Sequence, residues 1–89
     1  MLNNDIYEAL EMEFEKNHME EDVEEVLLDL AEALADKGIR DKEIRLTQSY
    51  GKTRVQAVGA CTEEDGETGV YIKRILIGKK EFEIEDYIL

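Results

Sequence analysis

Met19 to Lys37 reads MEEDVEEVLLDLAEALADK. Val23, Val26, Leu27, Leu30 and Leu34 recur at steps of three and four, so they share one side of a 3.6-residue helix. Ala31, Ala33 and Ala35 favour the same conformation. Gly38 stands where a left-handed residue ends a helix, and Ile39 can close that end with an apolar contact. At the start, Asp22 with Glu25 fits a capping box, or 19–22 forms a first acidic turn. The far face carries Glu21, Glu25, Asp29, Glu32 and Asp36 at spacings of four, four, three and four. At ~1.5 Å per residue this is one stripe of roughly 22 Å. Like charges four apart cost about 0.2–0.5 kcal/mol per pair, and only the terminal Lys37 answers them. Two readings stand: a merely solvated acidic face, or a surface held for a basic partner.

Working outward, residues 3–17 form a first helix, capped by Asn3 or Asn4. Ile6, Leu10 and Phe14 define its core stripe, flanked by Tyr7. Glu8, Glu11 and Glu15 line its outer side, and Met12 falls on the polar side. Asn17-His18 breaks the chain, so the two helices lie as a hairpin. His18 is the single histidine and reads as a surface or capping group.

Beyond the connector 39–42 the period changes to two. Residues 43–50 form a first strand with Ile44, Leu46 and Tyr50 on one side; Gly51-Lys52 reads as a type II′ turn into a second strand, 53–62. Gly59 within it marks a bulge or a close backbone approach. Residues 63–69, EEDGETG, read as a polar loop; its acids do not match the spacing of a calcium loop. Residues 70–77 form a third strand, Gly78-Lys79-Lys80 turns the chain, and 81–88 form a fourth. Strict alternation places Val70, Ile72 and Leu76 on one side of the third strand and Tyr71, Ile75 and Ile77 on the other. Two apolar faces imply a second covered face, so Tyr71, Ile75 and Ile77 are a candidate oligomer interface and a homodimer is one expectation. A bulge near Lys73-Arg74 removes that argument. Glu81, Glu83 and Glu85 share one side of the last strand, where they discourage edge pairing or extend the acidic surface.

The expected fold class is α+β: two N-terminal helices, a hairpin, packed on one face of a four-stranded antiparallel meander, residues 1–89 forming a single domain. Hydrophobic content of 43% supports a globular chain. Lys plus Arg is 11 against 23 for Asp plus Glu, a net charge of −12. Residues 1–37 carry 13 acids and 2 bases; residues 38–89 carry 10 and 9. Such acidity argues against direct binding of nucleic acid or an anionic membrane, both of which need basic surface. No basic-then-apolar leader and no apolar run near 18 residues is present, so a cytoplasmic protein is expected.

One serine, one histidine and one cysteine, Cys61, give little from which to build a nucleophile–base pair. Cys61 beside Ala60 reads as a small buried hydrophobe. No phosphate loop and no Cys/His metal spacing appears, so neither enzyme activity, a metal nor a cofactor is expected. The expected activity is that of an acidic binding module. Glu8, Glu11, Glu15, Glu21, Glu25, Asp29, Glu32, Asp36, Glu81, Glu83 and Glu85 would occupy the basic, nucleic-acid-binding surface of another protein. The alternative is a small homo-oligomeric structural or regulatory protein whose acidity serves solubility alone.

In size, charge and element order the chain resembles the phage inhibitors of uracil-DNA glycosylase, DNA mimics with two short helices before an antiparallel sheet. The resemblance covers layout only. That family presents acids on its first strand, whereas residues 43–50 here are nearly neutral, so no residue and no target carries over. Small acidic phage anti-restriction and anti-CRISPR proteins are similar in size and charge.

Overall fold

The computed structural model describes residues 4–37 and 40–88. Two helices, α1 (Asn4–Lys16) and α2 (Val23–Asp36), precede β1 (Ile44–Tyr50), β2 (Thr53–Glu64), β3 (Glu67–Ile77) and β4 (Lys80–Tyr87). The strands form one antiparallel sheet in the order β1-β2-β3-β4. Both helices lie on one face: α2 crosses β1, β2 and β3, and α1 meets α2 and β4. One core joins the layers, from Leu10 and Phe14 of α1 and Val26, Leu30 and Leu34 of α2 down to Val55, Ala57, Ile72 and Ile75 of the sheet.

α1 ends in a Schellman arrangement. Met19 N–H donates to the Phe14 carbonyl at 3.0 Å and His18 N–H to that of Glu15 at 3.1 Å. His18 is therefore the left-handed residue, with φ of 57°. α2 begins later than its acidic lead-in implies. Asp22 is extended and makes no side-chain cap bond, so the capping box does not form and 19–22 is the link between the helices. The C-terminal reading of Gly38 and Ile39 lies outside the described residues.

The stretch 63–69 is not a loop. β2 and β3 run on in register to Glu64 opposite Glu67, closed by Asp65 and Gly66 at φ of 52° and 81°. Both central residues at positive φ is the type I′ hairpin, for which Asp-Gly is the preferred pair. Gly51 and Gly78 take φ of 63° and 60° in the two Gly-Lys turns.

The register of β3 slips between Ile72 and Arg74 against both neighbours. The slip inverts the alternation after Lys73. Val70, Ile72, Ile75 and Ile77 all face the helices, with Ile75 and Ile77 only 1% exposed. The placement of Ile75 and Ile77 on an outer, oligomer-forming side is thereby corrected: both are core residues, and only Tyr71 of that trio lies outside. Opposite Ile72 in β2, Gly59 is obligatory for a second reason. A Cβ there would run into the Tyr71 carbonyl oxygen and lie 3.2 Å from Leu34 Cδ1.

The outer sheet face is left to Arg45, Thr47, Arg54, Gln56, Arg74 and Leu76, alternating with core neighbours. Val58 stands there between Arg45 and Arg74 in one cross-strand row, yet is 2% exposed. Among the described residues, no helix is long and apolar enough to cross a membrane.

Candidate partner-binding surface

The carboxylates of α1 and α2 meet where the two helices join. Glu11 and Glu15 from α1 and Glu20, Glu21 and Asp22 from the link line one cleft of ≈ 180 Å³, floored by Phe14, Met19 and Val23. The Schellman turn produces this, because it folds the link back against α1 within three residues of the helix end. Glu8 continues the α1 row one turn earlier and is exposed, as are Glu11 and Glu15.

From Glu21 the charge runs along α2. Glu25, Asp29, Glu32 and Asp36 are exposed on the side opposite Val26, Leu30 and Leu34. The stripe leans toward β1 at its middle, where Tyr50 Oη donates to Asp29 Oδ2 at 3.4 Å. Burial first, and then Asp29, Glu21 and Glu25, push the Tyr50 hydroxyl up to about 12.

Among the described residues none of these ten helix and link acids is in an ion pair. The ion pairs lie on the sheet side: Arg40–Glu63 at 3.3 Å, Lys73–Glu43 at 3.6 Å and Arg74–Glu81 at 3.4 Å. The helical layer thus carries an excess of carboxylates, whereas acids and bases are balanced and partly paired on the sheet side.

The β4 acids stand apart. The register sets Glu81 opposite Leu76 and Glu83 opposite Arg74, on the outer face. Glu81 is partly neutralised there, and Glu85 occupies a bulge at φ of 46°. The candidate surface is thus brought together for the helix residues, joined by Glu20, Asp22 and Glu24, which spacing alone did not select. Glu81, Glu83 and Glu85 do not line the interhelix cleft; they border a separate groove together with Asp5, Ile6 and Ala9 of α1. The run Glu20-Glu21-Asp22 was the available signal, but its place in the cleft depends on the interhelix turn.

A second feature borders this surface. Tyr7 of α1, Leu27 and Leu28 of α2, and Tyr87 and Ile88 at the end of the sheet line a groove of ≈ 520 Å³, with Glu24 at its edge. Leu28 is 43% and Tyr87 57% exposed. Burial first, then Glu11, Glu24 and Asp22, hold the Tyr7 hydroxyl above its usual pKa.

Elsewhere Cys61 is buried and free, as a small core residue, with burial raising its thiol pKa and Arg40 opposing that rise. Among the described residues no group of three or more His, Cys, Asp or Glu side chains is arranged to hold a metal ion. Comparison with family models, with curated proteins and with solved structures finds no match to this chain.

Proposed function

We propose that this chain is a binding module whose helical layer docks on a basic, nucleic-acid-binding surface of another protein and keeps that protein from its nucleic acid. The observation that carries the reading is the run of seven exposed helix acids, joined through half-buried Glu21 of the link, outside any ion pair among the described residues and continuous through the interhelix cleft. Stability alone would favour a lysine every turn, so the missing bases are a cost the fold bears along that one layer. Steps of three and four residues space the stripe at ~4.5–6 Å along the axis. That is sparser than duplex DNA, with one charge per ~1.7 Å, so the module competes through rigidity rather than density. Helix-borne carboxylates need little ordering on binding, and their summed field steers a cationic partner inward. A phage origin and an anti-defence role of the anti-CRISPR kind belong to this proposal as its narrower form.

The test is capture of partners from host lysate at low and high salt, followed by displacement of duplex DNA from each captured partner. The expected result is a DNA-binding protein held at low salt, released at high salt, and stripped of DNA by the wild-type chain. The triple reversal Glu25→Lys, Asp29→Lys, Glu32→Lys should abolish both effects. A partner that keeps its DNA in the presence of excess chain would refute the reading.

A further inference from the structure

We infer that the groove between α1, α2 and the end of β4 seats an aliphatic or aromatic anchor of the same partner, carried on a segment flanked by lysine or arginine. The inference rests on the proposed function and adds where affinity, as distinct from steering, arises. Exposed ion pairs contribute about 0–1 kcal/mol each and fade in salt. Tight interfaces concentrate their energy in a few desolvated apolar contacts ringed by polar groups. The helical layer has that layout. Of the three large apolar side chains that stand exposed among the described residues, Leu28 and Tyr87 line this one groove. Leu28 sits inside the acidic surface by spacing: its neighbours at i−4, i−3 and i+4 are Glu24, Glu25 and Glu32. Tyr7 forms the other wall, with Glu24 on the rim.

The charge of the rim selects the occupant. A second copy would bring Glu24, Glu25 and Glu32 against their own kind in a chain of net charge −12. An anionic lipid surface is repelled in the same way. A basic segment with an apolar anchor meets complementary chemistry at both floor and rim.

The experiment uses two synthetic helical peptides of equal positive charge, one amphipathic with Lys and Leu, the other with Gln in place of every Leu. Binding to the full chain is read by fluorescence anisotropy, and the site by amide shift changes. The Leu-bearing peptide should bind at least about tenfold tighter and keep binding in ~1 M salt, where screening falls to about 3 Å. The double variant Leu28→Gln, Tyr87→Gln preserves net charge, alters exposed positions, and should erase the difference. Equal binding of both peptides, lost together in salt, overturns the groove and leaves the acidic surface standing. No binding of either peptide at low salt overturns the acidic surface itself. A wild-type dimer that the double variant splits gives the groove to a second copy and overturns the inference.

Discussion

The Tyr50 hydroxyl donates to Asp29 Oδ2 at 3.4 Å, tying the last residue of β1 to the middle of α2. This contact crosses from sheet to helix at the centre of the acidic stripe. It gives the negative surface a built-in reporter.

Tyr50 ionises at about 12 rather than 10, through burial and then through Asp29, Glu21 and Glu25. The folded chain keeps this proton through a range in which the unfolded chain has lost it. Stability therefore falls as pH rises from about 10 to about 12. Absorbance titration of the tyrosines should show the Tyr50 phenol ionising at about 12, and Asp29→Asn should move it to lower pH. A phenol unmoved by Asp29→Asn would separate the stripe from β1.

Ile75 and Leu76 test the slip in β3. Ile75 is a core residue, whereas Leu76 lies on the outer face. Ile75→Ala should cost about 2–5 kcal/mol in urea unfolding, and Leu76→Ala well under half of that. The opposite order would restore uninterrupted alternation.

Gly59→Ala introduces a Cβ between the Tyr71 carbonyl and Leu34. Neither the β3 backbone nor the floor of α2 moves without loss of packing. A destabilisation of about 1–3 kcal/mol is expected, as for overpacked cores. In a domain of this size that lowers Tm by roughly 4–8 °C for each kcal/mol.

His18 holds φ of 57° at the end of α1. Glycine adopts that conformation without strain. His18→Gly should stabilise the chain by about 1 kcal/mol, visible as a raised Tm, and leave partner binding intact. A lowered Tm would mean that the imidazole itself supports the turn.

Glu32 lies between Asp29 and Asp36 on α2 at steps of three and four. Glu32→Lys turns two like-charge pairs into opposite ones and should stabilise the helix by a few tenths of a kcal/mol. Partner affinity should fall in the same variant. A variant more stable and equally well bound would leave the acidity with no role beyond solubility.

Much of this was readable in the chain because it is local. The 3.6-residue period gave α1 and α2, and the two Gly-Lys turns with the polar connection at 63–69 gave the strand count. The exposure of Met12 and the burial of Cys61 followed from single residues in short contexts. The polar stretch 63–69 is legible as a hairpin connection, but the extension of both strands to Glu64 and Glu67 around Asp65-Gly66 is set by cross-strand pairing. The division of charge between the first 37 residues and the rest was also plain from the order of residues.

The phase of β3 was not, because a bulge depends on two neighbouring strands at once. Alternation in VYIKRILI is ambiguous until Val58 and Gly59 on one side and Glu83 to Asp86 on the other choose the slip. That choice sends Ile75 and Ile77 inward and turns Arg74 and Leu76 to the outer face. The same holds for the acids. Their spacing put each on the outside of its own helix. Only the backbone geometry of the turn at His18 set Glu11 and Glu15 beside Glu20, Glu21 and Asp22, and only packing brought Asp29 to Tyr50, because that contact joins residues 21 apart in the chain.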